Sequence, residues 1–396
     1  MRLRQAKSKV EFEIMAPKLM IALFSLRSLA VQRDLLTEVM VRYDNEAEEL
    51  LDMVKRLKSA ADHEKSIAAV RPMSLRARNF LVRQLVHAVA GTVRGMSLQR
   101  SYRFADGLGA FAYYAYPKIR RQVLSNLNMA LGGAYERAEL TQIARRCVNY
   151  HSRSIVELLR IPDLSRQELL ELVRLEGSEH LDSALEHGKG VILVTAHFGN
   201  WELMGARLVA SGYPISVVVR DQLDSAFTRY INEIRGHSGM RIIQRGDIHK
   251  ILTCLKRNHV LGILSDQNEP SGEVFVNFFG RPAAAVTGPA TLARRTGAVV
   301  VPGFISRDQD NSHTIRMQPP LELVHTDDRD QDILVNTARI AKLIERQIAS
   351  QPEQWLWIHR RWKRSGEFDR TKSVLAVEPT EDEDASFLEP NPNIPR

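Results

Sequence analysis

From about residue 177 onward, short runs of β-branched and apolar residues alternate with longer stretches of helical periodicity. The strand candidates are Val191–Thr195, Ile215–Val219, Val260–Leu264 and Val299–Phe304. Between and after them lie helical patterns at Trp201–Ala210, Leu223–Arg235, Ile248–Lys256 and Gly288–Arg295. A strand that is apolar on both faces must be covered on both faces, and a helix between two such strands brings the second back parallel to the first. The pattern therefore predicts an α/β fold with a mainly parallel sheet flanked by helices. In such sheets ligands gather beyond the carboxyl ends of the strands, so chemistry is expected in the residues just after each strand.

The first of these places is the most informative. Gly190-Val-Ile-Leu-Val-Thr-Ala-His197-Phe-Gly-Asn-Trp-Glu202 reads as a buried strand, a histidine, a turn at Gly199-Asn200 and a new helix. Within one helix, residues five apart sit about 140° apart and cannot meet. With His197 on the turn and Glu202 in the first helical turn, the chain doubles back and the carboxylate is expected to reach the imidazole. A histidine held by a carboxylate is fixed in one tautomer and becomes a stronger base. The plainer reading of His197 is a structural residue at the start of a helix.

Other strand ends add Arg220 after Ile215–Val219 and Asp266-Gln267 after Val260–Leu264, on the same sheet edge as His197. Guanidinium groups in such places suit phosphates, which they bind with paired hydrogen bonds. Arg235 and Arg245, read without further information, are surface or salt-bridge residues. Asp266 is open to three roles: binding an arginine, positioning a substrate, or capping a loop.

The rest of the chain sets the frame. Residues 1–72 read as a helical extension and linker, 73–176 as mostly helical, 177–365 as the α/β region and 366–396 as a disordered acidic tail. Leu36, Met40, Tyr43, Ala47, Leu50, Val54, Leu57 and Ala61 follow a 4-3 spacing, a heptad seam over 36–61 that serves either a homo-oligomeric coiled coil or a long docking helix. Arg137 to Arg160 has few breakers, and Pro162 ends it. Gly107-Leu-Gly109-Ala-Phe-Ala112 superficially matches a dinucleotide fingerprint, but no apolar strand precedes it, so helix packing through small residues is the better reading.

Charge bears on partners. The 396-residue chain carries a formal +8, while residues 373–396 hold six acids and one base, a net of −5, so the remainder carries +13. A basic body suits an anionic partner: an acidic carrier protein, an anionic lipid surface or nucleic acid. Two cysteines, Cys147 and Cys254, exclude a disulfide framework and a four-thiolate zinc site and fit a reducing compartment. No other metal-ligand spacing is evident, and no cofactor or metal is expected. No stretch reaches the roughly 20 apolar residues of a membrane span. Phe80–Met96, apolar through Leu81, Leu85 and Val89 but interrupted by Arg83, His87 and Arg94, reads either as a helix lying in a membrane interface or as one packed on the protein's own core. Trp355, Trp357, His359, Arg360, Arg361, Trp362 and Lys363 interleave aromatics with bases, a composition that serves nucleic acid or a membrane headgroup layer.

Several segments together resemble one family. They are His197-Phe-Gly-Asn-Trp-Glu202; Ser265-Asp266-Gln267; Val274-Phe-Val-Asn-Phe-Phe-Gly-Arg-Pro-Ala283; Thr287 to Ala298 followed by Val301-Pro302; and Pro352 to Lys363. Over roughly residues 80 to 365 the chain resembles the bacterial lipid A secondary acyltransferases, a branch of the lysophospholipid acyltransferase superfamily. The resemblance implies a glycerolipid acyltransferase-like α/β fold. It implies transfer of a fatty acyl chain from an acyl carrier protein or coenzyme A thioester to a hydroxyl of a membrane glycolipid, a lipid A precursor first of all. Other acceptors remain open (a mannoside, an ornithine lipid, a lysophospholipid), as does a non-catalytic membrane-surface scaffold. By the same resemblance His197 and Glu202 are the catalytic pair. Arg235, Asp266, Gln267, Arg220 and Arg245 are the substrate-binding residues. The Trp355–Lys363 cluster then serves a membrane interface or packing near the site rather than nucleic acid. The expected location is the cytoplasmic face of the inner membrane, with peripheral attachment to anionic lipids through Phe80–Met96 and nearby arginines such as Arg71, Arg76, Arg78 and Arg83.

Overall fold

A computed structural model of the chain describes residues 75–219, 226–269, 274–368 and 374–375. The heptad segment 36–61 and all but Val374–Leu375 of the acidic stretch after residue 373 lie outside them. The chain divides into two compact units, Met1–Thr92 with Asp224–Tyr230, and Val93–Leu223 with Ile231–Arg396.

Of the first unit, the described part is helix up to Thr92 and the first turns of a second helix, where the rings of His87 and Tyr230 meet edge to face at 4.8 Å. Helix α1 (Leu75–Arg94) buries Val86, Ala90 and Val93, a stripe at helical spacing. Among the described residues no helix is long and apolar enough to cross a membrane.

The second unit is built on a seven-stranded sheet. Its strands are β1 (Val173–Glu176), β2 (Val191–Thr195), β3 (Ile215–Val219), β4 (Arg241–Gln244), β5 (Val260–Leu264), β8 (Val299–Arg307) and β9 (His313–Met317). The order across the sheet is β1-β9-β8-β2-β5-β3-β4. The four expected strands are all present, and β2, with four aliphatic residues in five, is buried along its whole length between β5 and β8. Each buried Val, Ile or Leu side chain contributes about 1.5–3 kcal/mol, so this central position is the one its sequence dictates.

Every pairing in the sheet is parallel except β8 with β9. The exception has a local cause. Asp308–Ser312 closes on itself, with Asn311 in the left-handed region at φ 67°, and five residues are too few for a crossover. A second, three-stranded sheet joins β6 (Phe275–Phe278), β7 (Arg281–Ala284) and β10 (Val374–Leu375). The β6–β7 hairpin turns on Phe279-Gly280, both at positive φ, as a two-residue turn between right-twisted strands demands. Strand β10 pairs parallel with β6, inside the segment expected to be a disordered tail.

The further helices are α2 (Leu98–Ala115), α3 (Pro117–Leu131), α4 (Arg137–Arg160), α5 (Arg166–Leu172), α6 (Ser178–Glu186), α7 (Trp201–Ala210), α8 (Ala226–His237), α9 (Ile248–Lys256), α10 (Gly288–Thr296) and α11 (Arg329–Ser350). Helix α2 packs on α4 through Gly109, where a Cβ would come within 2.6 Å of Asn149 Oδ1. Gly109 of the apparent dinucleotide motif thus serves helix contact, while Gly107 is exposed. Helix α4 starts at a reciprocal cap between Glu136 and Glu139 and stops at Ile161-Pro162. The Trp355–Lys363 segment is not a surface belt: Trp355, Trp357, Arg361 and Trp362 are buried, and Arg361 lies over the Phe278 ring at 4.8 Å.

One carboxylate ties these layers together. Glu157, buried on α4, accepts hydrogen bonds from the Tyr102 hydroxyl of α2 (2.6 Å), from Asn200 (2.8 Å) and from both terminal nitrogens of Arg307 at the end of β8. His313 Nε2, at the start of β9, is 3.1 Å away. Burial alone would raise the Glu157 pKa. The facing His313 and Arg307 outweigh it and hold the carboxyl far below the usual range. Its contribution to stability is therefore complete above the unfolded carboxylate range, near pH 4.3, and is lost as pH falls below it. Removing one partner of a buried charged cluster strands the others, so Glu157→Ala should cost about 3–5 kcal/mol and Glu157→Gln clearly less. Urea unfolding at neutral pH measures both; equal losses would show that the charge has no part in the effect.

Candidate active site

The two central strands end side by side. Thr195 of β2 pairs with Leu264 of β5, and Ser265 N–H donates to the Thr195 carbonyl at 3.0 Å. His197 and Asp266 each follow two residues past these partners, so the register delivers the two side chains to the same point of the sheet edge. There His197 Nδ1 lies 2.8 Å from Asp266 Oδ1, and the His197 backbone N–H donates to Oδ2 at 2.9 Å. Trp355 Nε1–H completes the carboxylate at 2.7 Å.

Burial would raise the Asp266 pKa, but the imidazole beside it and the hydrogen bonds from His197 and Trp355 hold it well below the usual range. An ionised Asp266 facing Nδ1 requires the proton on that nitrogen. Nε2 is then the basic lone pair, and Gln267 Nε2 stands 3.0 Å from it. The Trp201 ring lies edge-on to the imidazole with centroids 4.9 Å apart.

The contact expected between Glu202 and His197 is replaced by a different one. Glu202, in the first turn of α7 (Trp201–Ala210), receives Arg235 in a two-pronged pair at 2.9 and 2.5 Å, and the Trp201 indole N–H at 3.1 Å. The reason is geometric. The turn at Gly199 starts the helix with residue 202 directed at Arg235 of α8 (Ala226–His237), while Trp201 takes the place beside the ring. Arg235 also donates to Asn232 at 3.0 Å, so its planar fork is held by protein. Arg245 pairs with Glu269 at 2.5 Å. Arg220 lies outside the described residues. His197, Asp266 and Gln267 thus come together; Glu202 and Arg235 form a neighbouring pair, linked to the imidazole through Trp201.

The turn that carries His197 is fastened from behind. Residues Pro352–Gln354 form a short 3₁₀ turn, after which Trp355 bridges to Phe198 in antiparallel fashion. Leu356 N–H donates to the His197 carbonyl at 3.0 Å, and Gly199 N–H to the Gln354 carbonyl at 2.9 Å. Gly199 holds φ 60°, and a Cβ there would lie 1.9 Å from the Ile305 carbonyl oxygen. Asn200 caps α7 by accepting from Leu203 N–H and passes its amide to Glu157.

Sequence reasoning did not single out Trp355, Trp201, Asn200 or His151 as parts of the site. Only Asn200 had a local signal, as a capping residue before a helix. His151 of α4 sits on the other side of Trp201, with ring centroids 6.3 Å apart. Its Nε2 is sealed from solvent without a partner. Burial lowers its pKa to about 4. Among the described residues no group of His, Cys, Asp and Glu is placed to hold a metal ion.

A doubly covered parallel sheet that presents a carboxylate-oriented imidazole at its carboxyl edge is a scaffold for general-base chemistry on a hydroxyl or similar nucleophile. Residues 70–364 match the family model of the bacterial lipid A biosynthesis acyltransferases, and the chain belongs to that family. It is similar to a phosphatidylinositol mannoside acyltransferase of Mycobacterium tuberculosis (28% identity, 52% of this chain and 66% of the relative). It is also similar to two Escherichia coli enzymes, the lipid A biosynthesis palmitoleoyltransferase (30%, 48% and 61%) and lauroyltransferase (27%, 66% and 85%). The aligned region spans about two thirds or less of the first two relatives.

Two outcomes follow from the site's construction. Gly199→Ala forces the chain against the Ile305 carbonyl and out of a left-handed conformation that costs a non-glycine residue about 1–3 kcal/mol. A lowered thermal midpoint should accompany loss of the His197 position, seen as a shifted imidazole resonance; an unchanged midpoint would mean the turn relaxes freely. His151, neutral when folded, contributes stability that is full above pH 6.5 and declines as pH falls from 6.5 toward 4. His151→Phe should therefore shrink the drop in urea-derived stability between pH 7 and pH 5 by about 2 kcal/mol. An unaltered drop would show that the ring is not buried neutral.

Proposed function

We propose that the chain transfers a fatty acyl group from an acyl thioester, on acyl carrier protein or coenzyme A, to a hydroxyl of a membrane glycolipid. The observation that carries this reading is the clamped imidazole: Asp266 on Nδ1, and Nε2 basic at the sheet edge. His197 Nε2 takes the proton of the acceptor hydroxyl as its oxygen attacks the thioester carbonyl. Asp266 stabilises the imidazolium and keeps the ring in the useful tautomer. Collapse of the tetrahedral intermediate breaks the carbon–sulfur bond, and the thiolate recovers the proton from Nε2. No covalent enzyme intermediate is needed.

Glu202 and Arg235 have a supporting part in this scheme. Their pair joins α7 to α8 beside Trp201 and fixes the wall against which the imidazole rests. Family membership makes a lipid A precursor the first acceptor to test, and the likeness to the mycobacterial mannoside acyltransferase makes a phosphatidylinositol mannoside the second. The basic body suits both an acidic carrier and an anionic membrane surface, in keeping with peripheral attachment at the inner membrane.

Transfer of labelled acyl chains from acyl carrier protein and coenzyme A to the two acceptors tests the reading. Loss of the general base in His197→Ala should lower the rate about 10²–10⁴-fold, and Asp266→Asn should fall in the same range by admitting the wrong tautomer. Glu202→Gln keeps an acceptor for Arg235 and should cost about tenfold or less, the worth of one weakened hydrogen bond. A ranking in which Glu202→Gln is worse than Asp266→Asn would return the orienting role to Glu202; full activity of His197→Ala would end the general-base reading.

A further inference from the structure

The nitrogen that must take the substrate's proton is already occupied. With its proton on Nδ1, neutral His197 offers a single lone pair at Nε2. Gln267 Nε2 lies 3.0 Å from that atom and donates an amide N–H to it. A hydroxyl about to be deprotonated must occupy the same lone pair, at a heavy-atom separation of about 2.6–3.2 Å. The two cannot be there together. The acceptor therefore enters by displacing an amide that makes the same kind of hydrogen bond.

The residue type is suited to this exchange. A glutamate in this place would favour a second proton on the ring, leaving no lone pair to take the substrate's proton. An apolar residue would leave the lone pair to water. An amide donates to the neutral ring through nitrogen and, turned over, accepts from the imidazolium through oxygen, so it serves both states of the catalytic cycle. Gln267 is only half-buried, whereas its neighbours Asp266 and Asn268 are buried. Its backbone is anchored through Ser265 to β2, which leaves the side chain as the part able to move. A rotamer change of one such side chain costs little. A displaced amide stays next to the nitrogen that takes the proton, and the carbonyl attacked there develops charge on its oxygen that needs a donor.

We propose that Gln267 is a catalytic residue: its amide holds the acceptor-hydroxyl position on His197 Nε2 in the substrate-free protein and, once displaced, donates an N–H to the thioester carbonyl oxygen as it becomes an oxyanion. This rests on the acyl-transfer reading above. Proton and electron pairs balance as in that scheme: the hydroxyl proton goes to Nε2, the carbonyl π pair to the oxygen that Gln267 binds, and the thiolate leaves with the proton from Nε2.

Diethyl pyrocarbonate, which acylates neutral imidazole, tests occupancy without any substrate, with the His197 peptide followed by mass spectrometry. In Gln267→Met, which keeps the length but has no N–H, His197 should react about two- to tenfold faster than in the wild-type protein, the worth of one hydrogen bond. In Gln267→Glu it should react more slowly, because the carboxylate favours the charged ring. A residue of purely structural importance would move both variants in the same direction, and that result, or no change in either, overturns the proposal. The Gln267→Met protein should also lose about 10²–10³-fold in kcat, as expected for an oxyanion donor, without a matching rise in the acceptor KM; an unchanged kcat overturns the catalytic part. If the wild-type protein transfers no acyl group from either thioester, the acyl-transfer reading and the oxyanion step fall together, while the modification rates still decide whether Gln267 covers the base.

Discussion

The parallel pairing of β2 with β5 is the constraint on which the site depends. Because Thr195 and Leu264 are partners, residues at equal distance beyond them arrive together, and one side chain from each strand can meet without a long or flexible reach. A slip of one residue in either strand would turn its whole set of side chains to the opposite face of the sheet. The side chains of both strands are packed on both faces of the sheet, and such a slip would break that close packing. Core packing, which carries no chemistry of its own, thereby sets a 2.8 Å contact between imidazole and carboxylate.

Register alone would leave His197 on a loose turn. The turn is held by backbone bonds to Gln354 and Leu356 and by the Asn200 side chain, which reaches the buried Glu157. Burying a carboxylate, a guanidinium and an imidazole together is costly unless every lone pair finds a donor, and even a complete network is weak evidence of net stabilisation. What such a network supplies is a single arrangement. Gln354 grips both the N–H and the carbonyl of Arg307, so the end of β8, the His197 turn and the segment after α11 (Arg329–Ser350) are positioned by common atoms. The general-base role proposed for His197 needs that definition, since small displacements of a reacting group carry large losses in rate.

The sequence disclosed what is local and periodic. All four strands with strong apolar runs were legible, as were α7, the helix at Ile248–Lys256 and the end of α4 at Pro162. Strands β1 and β4 were not: each has four residues, and their burial is uneven. The antiparallel β9 follows so closely on β8 that no separate helical interval announces it. In the site, His197 was legible from its place after a strand, and Asp266-Gln267 from theirs. What stayed hidden is which carboxylate faces the ring. Glu202 is five residues from His197, and nearness along the chain favoured it, whereas Asp266 is 69 residues away and reaches the ring through strand pairing that no local pattern encodes. Trp355 is farther still; an indole among basic residues matches a membrane belt and a buried donor equally well by composition.

The two acidic residues at the site differ in what holds them, and the proposed mechanism gives them different work. Asp266 receives three N–H groups, two of them from the same histidine, and little of its side chain is open to solvent. Its charge acts on the ring directly, at contact distance, in surroundings where water does not screen it. Glu202 spends its charge on Arg235. The pair is closer to neutral when seen from the imidazole, and its influence passes through the Trp201 ring that it braces. A carboxylate that is neutralised by its own arginine is a poor partner for a developing imidazolium but a good strut, because the planar fork fixes both direction and distance. On the proposed mechanism, the histidine-to-acid spacing along the chain therefore marks two neighbouring devices, a base with its own counter-charge and a wall that keeps the base in place.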